Sequence, residues 1–206
     1  MSYTSGISIN KKFIFIHICK NAGTSLNDYF LPYYDYNQEI KLQDNFFSEY
    51  KKEFHFTIKD ICCHFKQKNI DKDEFKFIVS VRNPYERMIS IYNYRNIMMP
   101  FKEYVLKGHF KKNSRGGRDY ERMTKTQTFW LKDENDEINW NNIIIIKVET
   151  IEDDLKSCCN TLNIENNNLK KLNTSKNLLK NYYDQETKDY VYQYFKEDFI
   201  NFNYNK

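Results

Sequence analysis

The segment 17–25, HICKNAGTS, combines the residue types that proteins use to hold oxyanions. An apolar run precedes it and a helix-forming run follows it, so Thr24 and Ser25 stand where a helix begins. A helix N-terminus presents unpartnered N–H groups and roughly half a positive charge, which together stabilise a phosphate or sulfate. Gly23 lets the backbone approach the anion, and Lys20 adds a mobile charge. The segment predicts an anion cradle, although an ordinary strand–turn–helix connection fits the same residues.

The position of Lys20 distinguishes this cradle from the P-loop of nucleotide-hydrolysing enzymes. The P-loop reads G-x-x-x-x-G-K-[ST], with the Lys after the last Gly and the hydroxyl on Mg²⁺. Here Lys20 comes three residues before Gly23, and Ile18 stands where the first Gly would be. The ingredients of a phosphate site are therefore kept, whereas the arrangement that binds a Mg-triphosphate is not.

A second oxyanion-binding candidate follows the apolar run 75–81. Pro84 fits the first turn of a helix, and Ser90 comes eight residues after Arg82, about two helical turns further on. An Arg at a strand end and a Ser on the next helix can hold a phosphate from two sides. Taken singly, Arg82 and Arg87 also fit surface ion pairs with Glu86 and its neighbours, and Ser90 also fits a small helix residue that faces a neighbouring element.

Together and in this order, the two segments resemble the PAPS-dependent sulfotransferases, specifically the carbohydrate sulfotransferase branch, whose sulfuryl donor is 3′-phosphoadenosine-5′-phosphosulfate (PAPS). Segment 17–25 is similar to the family's 5′-phosphosulfate loop, and segment 81–92 to its 3′-phosphate site. Weaker similarities continue at 148–155, 172–176, 182–184 and 198–204. The family usually has Pro where Cys19 stands and Thr or Ser where Asn21 stands, but the Asn21 amide can still donate a hydrogen bond.

The resemblance implies the residues of the donor site. They are Lys20, Asn21, Ala22, Gly23, Thr24, Ser25, Arg82 and Ser90. Lys20 is expected to neutralise charge on the departing phosphate. His55 is the expected catalytic base, because relatives of the heparan 2-O-sulfotransferase type place their His between the two motifs and its unperturbed pKa of ~6.5 suits the role. It precedes Thr57, which fits a helix N-cap. Glu149, at the end of a predicted strand, is the rival base.

Sulfuryl transfer resembles phosphoryl transfer in needing positive charge around a loose, in-line transition state. Lys20, Arg82 and the helix N-terminus supply that charge, so no metal is expected. Two other functions stay open. A phosphoryl transferase using ATP is disfavoured by the motif order and by the lack of an obvious Mg-binding Asp after a strand. A non-catalytic nucleotide- or anion-binding module is disfavoured because the donor residues are intact.

Apolar runs alternate with helical patterns along the chain. The sequence predicts strands at 12–18, 75–81 and 142–148, and helices at 24–30, 57–69, 84–96, 119–131, 150–162 and 185–195. This alternation predicts an α/β fold, a single P-loop-like domain over 1–206 with a mostly parallel central sheet flanked by helices. Ligands of such sheets bind beyond the carboxyl ends of the strands, where both motifs fall.

The stretch 98–118 is predicted to be an irregular, mobile loop on the acceptor side. Its region is rich in cations and glycines: Lys102, Lys107, Lys111, Lys112, Arg115, Arg118 and Arg122, with Gly108, Gly116 and Gly117. A basic loop suits an anionic carbohydrate, although a solvated loop fits as well. The net charge of +4 is mild, and no nucleic-acid partner is expected.

The five Cys and the hydropathy bear on the compartment. No C-x-x-C spacing occurs, and an odd count leaves one Cys unpaired, which predicts reduced thiols and no metal site. No apolar run approaches the ~20 residues that a membrane span needs, and the first residues lack a signal-peptide core. We therefore expect a cytoplasmic enzyme acting on a carbohydrate or another hydroxyl acceptor.

Overall fold

A computed structural model describes residues 6–34, 55–111, 121–170 and 182–206. Within these residues one sheet has the strand order β1 (Gly6–Ser8), β2 (Phe13–Ile16), β3 (Lys76–Val81) and β4 (Ile143–Lys147). Strand β1 runs antiparallel to β2, whereas β2, β3 and β4 run parallel, with Phe15 opposite Ile78 and Ile78 opposite Ile144. The predicted α/β fold with a mostly parallel sheet is confirmed.

Helices flank this sheet. They are α1 (Gly23–Phe30), α2 (Ile58–Gln67), α3 (Pro84–Tyr94), α4 (Phe101–Leu106), α5 (Ile151–Leu162), α6 (Gln185–Tyr194) and α7 (Lys196–Asn201). Because α1, α3 and α5 each follow a parallel strand after a short connection, their N-termini lie near the carboxyl edge of the sheet. That edge is where both anion-binding segments were expected.

The strands are buried on both faces. Phe13 and Phe15 of β2 pack with residues of α1 and α5 on one side, whereas Ile14 and Ile16 pack with residues of α2 and with Trp130 on the other. All four strand side chains are fully buried. Such a strand needs apolar residues at every position, which explains why this part of the sequence is continuously apolar.

The prediction of a helix at 119–131 is wrong over most of the part that the structure describes. From 123 onward the chain turns, and only Thr128–Leu131 forms a 3₁₀ helix. Side chains from elsewhere take the backbone groups that an α-helix would pair internally: Arg87 donates to two carbonyls of the segment, and Asp198 accepts from two of its N–H groups. Residues 119 and 120 lie outside the described chain.

The stretch 98–118 is not irregular where it is described. Helix α4 and a 3₁₀ turn, His109–Lys111, lie within it. Phe101, Tyr104 and Val105 are buried at helical spacing, and the buried guanidinium of Arg95 donates to the carbonyl of Phe110 at 2.8 Å. Residues 112–118 lie outside the described chain, as does the 172–176 segment of the family resemblance.

Candidate active site

The loop from β2 to α1 holds two non-glycine residues in the left-handed backbone region, Lys20 (φ 69°) and Ala22 (φ 58°). Each costs roughly 1–2 kcal/mol, and such conformations persist only where the surrounding structure fixes them. Ala22 is the N-cap of α1 and has no side-chain acceptor, so it caps none of the N–H groups in the first helical turn. Thr24 and Ser25 belong to that turn. The loop therefore ends in an N-terminus suited to an anion.

The side chain of Asn21 lies in the interior, fully buried. Its Nδ2 donates to the carbonyl of Ser80 at 2.9 Å and to Oε1 of Gln127 at 2.7 Å. Both amide hydrogens are thus used between elements of the fold, which corrects the expectation that this amide donates to the anion. Asn21 instead ties the loop to the end of β3.

Gly23 packs directly against the imidazole of His17, which is 5% exposed. A Cβ at position 23 would lie 2.8 Å from Cγ of His17 and would overlap the ring atoms Cδ2 and Nε2 more severely. Gly23 is not among the residues with positive φ. The loop needs a glycine here because of this close approach, a reason that the sequence alone does not reveal.

The second segment joins β3 to α3. Asn83 caps the helix by accepting from the backbone N–H of Tyr85 at 2.9 Å, and Pro84 occupies the first turn as predicted. Arg82 is largely buried and donates from Nε and Nη2 to Oε2 of Glu86, at 3.2 and 3.1 Å. Arg82 thus makes the ion pair with Glu86 that its sequence context allowed.

Lys20 and Arg82 lie at the two ends of one face of α3. Glu86, Ser90 and Tyr94 follow one another at four-residue spacing and so share this face. Arg82 pairs with Glu86, and Nζ of Lys20 lies 4.1 Å from the ring centroid of Tyr94. Burial lowers the pKa of Lys20 below its usual value; Cys19 opposes this with a smaller effect, and the charge of Arg82 adds a still smaller lowering. The fold thus places Ser90 between two cations.

His55 contacts the beginning of the donor loop. Its Nδ1 donates to the carbonyl of His17 at 2.9 Å, which leaves Nε2 with the lone pair in the neutral ring. The two imidazoles meet edge to face with centroids 4.6 Å apart. Arg122 donates to the carbonyl of His55 at 3.1 Å and to Asp60 at 2.7 Å, and Thr57 caps α2 as predicted. These contacts fix the position of the ring and its tautomer.

Both carboxylate oxygens of Glu149 accept hydrogen bonds from other parts of the protein. Oε1 accepts from the backbone N–H of Asn83 at 2.7 Å, and Oε2 accepts from the hydroxyl of Tyr204 at 2.9 Å. Burial, together with this carboxylate, raises the pKa of Tyr204. Glu149 therefore connects the C-terminal segment to the loop that carries Arg82.

A model of the sulfotransferase family matches residues 6–205, a span that includes both loops and His55. The chain belongs to the sulfotransferase family. A crystal structure of a sulfotransferase from Alicyclobacillus acidocaldarius superposes with a TM-score of 0.51 at 15% identity, covering 92% of each chain. At this identity the likeness shows that the two proteins share a fold. No curated protein matches the chain.

Two residues that hold these loops in place were not identified from the sequence. Gln127 contacts both loops, and nothing in the spacing of its neighbours marks it. Arg87, interpreted as a possible surface ion pair, is 1% exposed and donates to the carbonyls of Cys19, Met123 and Lys125 at 3.2, 2.9 and 2.9 Å. Its position within a buried stripe of α3 is the one available signal.

The described basic residues of the acceptor-side region are engaged by other groups of the sulfotransferase. Lys102 pairs with Asp184 and Glu186, and Lys107 with Glu103. The ammonium group of Lys111 lies 4.6 Å from the ring centroid of Tyr194, and Arg122 holds Asp60. Lys112, Arg115 and Arg118, with Gly116 and Gly117, lie outside the described residues.

Two further findings concern metals and membranes. Over the described ranges, His, Cys, Asp and Glu side chains nowhere gather in threes that could hold a metal ion. In the same ranges, every helix is too short or too polar to cross a bilayer.

Proposed function

We propose that this sulfotransferase transfers a sulfuryl group from PAPS to a hydroxyl group of a carbohydrate. The observation that best supports the donor is the placement of Lys20 and Arg82 at the two ends of the α3 face that carries Ser90. The charge of Arg82 contributes to the lowered pKa of Lys20, so the two cations disfavour each other and a bound anion is favoured by both charges. A nucleotide with phosphates at its 5′ and 3′ positions fits two such loops, one for each phosphate.

The 5′-phosphosulfate is assigned to the loop 20–25. There the first-turn N–H groups of α1, the hydroxyl of Thr24 and the ammonium of Lys20 surround the anion. The 3′-phosphate is assigned to Arg82 and Ser90. Because Arg82 donates to Glu86 in this structure, a phosphate would compete with that carboxylate for the guanidinium.

The reaction follows from these positions. Nε2 of His55 accepts the proton of the acceptor hydroxyl while the hydroxyl oxygen bonds to sulfur. The bond between sulfur and the bridging oxygen of the donor breaks, and the electron pair leaves with the 5′-phosphate of adenosine 3′,5′-bisphosphate. Lys20 neutralises the charge that develops on this leaving group. The hydrogen bond from Nδ1 of His55 to His17 supports the role, because it fixes the tautomer with Nε2 as acceptor.

The carbohydrate acceptor is supported by the resemblance of both motifs to the carbohydrate sulfotransferase branch. The described basic residues add little to it, since Lys102, Lys107 and Arg122 are paired with carboxylates of the protein. The acceptor is therefore best sought with a panel of neutral and anionic glycans assayed with labelled PAPS.

The decisive experiment compares binding of adenosine 3′,5′-bisphosphate, ADP and Mg-ATP by calorimetry. We expect micromolar or tighter binding that depends on the 3′-phosphate. A preference for Mg-ATP would instead indicate a phosphoryl transferase, and bisphosphate binding with no transfer to any hydroxyl acceptor would indicate a non-catalytic binding module.

Variants separate the two catalytic roles. His55→Ala should lower the transfer rate at least a hundredfold, in line with the usual contribution of a general base, with little change in bisphosphate affinity. Lys20→Ala should remove turnover and keep the fold, because a loop lysine contributes little to the core. Equal losses of rate and donor affinity in His55→Ala would indicate a structural role for His55.

A further inference from the structure

The side chain of Gln127 joins the two anion loops through a single atom. Its Oε1 accepts hydrogen bonds from Nδ2 of Asn21 at 2.7 Å and from the backbone N–H of Arg82 at 2.8 Å. Its Nε2 donates to the carbonyl of Arg82 at 2.9 Å. Gln127 is fully buried, so water does not compete for these bonds. The loop before α1 and the loop before α3 are thereby held against one another.

The orientation of the amide is fixed by its partners. The backbone N–H of Arg82 can only donate and its carbonyl can only accept, so Oε1 must face the former and Nε2 the latter. Asn21 then has to present its Nδ2 to the same oxygen, and it does. The two buried amides therefore form one interlocked network with a single consistent arrangement.

Gln127 is itself anchored to the C-terminal helix α7. Its backbone N–H donates to Oδ2 of Asp198 at 2.7 Å, and Thr128 donates to Oδ1 of Asp198 through both its N–H and its hydroxyl, each at 2.8 Å. Asp198 is fully buried. The residue that spans the two loops is thus rigid at its own backbone, so it can impose a spacing on them.

Both contacts fall next to the charges that matter for donor binding. Asn21 lies between Lys20 and Ala22, the two residues in left-handed conformation, and Arg82 itself carries the second cation. A ligand with two phosphates gains from both sites only if their separation matches its own before binding. A fixed separation of the loops would meet that condition.

We propose that Gln127 is a positioning residue that sets the spacing between the two phosphate sites and so makes the protein selective for a nucleotide phosphorylated at both 5′ and 3′ positions. The proposal rests on the function proposed above. It assigns to Gln127 no contact with the donor, only control of the distance between the groups that bind it.

The first test measures selectivity. Gln127→Met keeps the length of the side chain and removes its hydrogen bonds. We expect the ratio of the Kd for adenosine 5′-monophosphate to that for adenosine 3′,5′-bisphosphate to fall at least tenfold, while the Kd for the monophosphate changes less than threefold. Equal weakening of both nucleotides, with the ratio unchanged, would overturn the proposal and leave Gln127 a merely structural residue.

Tyr29→Phe is the matched control. It also removes hydrogen bonds of a buried side chain, among them those of the Tyr29 hydroxyl with Cys159 at 3.2 Å and Asn166 at 3.0 Å, near the far end of α1. We expect this variant to lose stability with the wild-type nucleotide ratio retained. A ratio that falls as much in Tyr29→Phe as in Gln127→Met would refute a specific role for Gln127.

A second readout does not depend on the donor. In Gln127→Met, amide hydrogen exchange should accelerate at least tenfold both in segment 20–25 and at residues 82 and 83, and in Tyr29→Phe at neither place. Acceleration confined to residues 82 and 83 would refute the coupling even if donor binding is as proposed. A wild-type protein that shows no preference for the bisphosphate would refute the donor and the selectivity, whereas acceleration of both segments would still establish the coupling.

Discussion

Replacement of Gly23 by alanine is the most direct test of the active-site geometry. The new methyl carbon would lie 2.8 Å from Cγ of His17, whereas nonbonded carbons rest about 3.5–4.0 Å apart. The imidazole of His17 cannot easily move aside, because the rings of Phe15 and His55 lie next to it, with centroids 6.2 and 4.6 Å away. Either the ring or the loop must therefore move.

Overpacking of this kind costs about 1–3 kcal/mol. The higher helix propensity of alanine stabilises the folded state by at most ~1 kcal/mol relative to glycine, and by less in the first turn of α1 than in its interior. We therefore expect Gly23→Ala to lower the free energy of unfolding by about 1–2 kcal/mol, the remainder of these two opposing effects. Movement of the His17 backbone would also displace its carbonyl, which orients the ring of His55.

A double-mutant cycle in urea isolates the cause. In a His17→Ala background the space beside position 23 is vacated, so Gly23→Ala should cost less there, with a coupling of at least ~1 kcal/mol. The same loss in both backgrounds would refute the reasoning, because Gly23 would then be needed for a reason other than its approach to His17. Bisphosphate affinity, measured on the same variants, should recover in the double variant if the loop rather than the ring moves.

Two further predictions concern Lys20. Tyr94→Leu should weaken bisphosphate binding about two- to fivefold, because an exposed cation–π contact contributes about 0.5–1 kcal/mol to holding the ammonium of Lys20 beside the loop. Tyr94→Phe keeps the aromatic ring and should not weaken binding. Tighter binding in Tyr94→Leu would contradict this prediction. Because burial and Arg82 hold the pKa of Lys20 below 10.5, affinity should fall as pH rises through that lowered pKa, and binding in this range should take up a proton, since the anion raises the pKa again. Calorimetry in buffers of different ionisation enthalpy measures the proton uptake. In Lys20→Arg the charge persists, so the affinity should no longer depend on pH. A wild-type affinity that does not vary with pH would contradict the prediction.

Much of the fold could be predicted because its determinants are local. The run of isoleucines predicted as a strand at 142–148 forms β4 at Ile143–Lys147, and Pro84 begins α3 where a proline is tolerated best. The helix cap at Thr57 was also readable, and it places His55 at the entry to α2. Elements whose signal is short were missed: β1 has three residues, and α7 has six.

The residues that position the site could not be read in the same way, because their roles depend on partners distant in sequence. Asn21 bonds to a side chain 106 residues away, and Arg87 reaches carbonyls 68 and 38 positions from itself. These bonds also override local preference, since the backbone of 123–128 pairs with Arg87 and Asp198 rather than forming the predicted helix.

The division between these two classes of residue has a physical basis. Groups that would touch the donor, such as Lys20 and Arg82, must follow a strand and precede a helix N-terminus, so their surroundings in sequence are constrained and form recognisable motifs. A residue such as Gln127 needs only to be buried at the right distance from two loops. Many different segments of a chain can place a side chain there, so no local sequence pattern marks it. The sequence therefore predicts which groups bind an anion, whereas the hydrogen bonds that we propose set the distance between those groups form only in the folded chain.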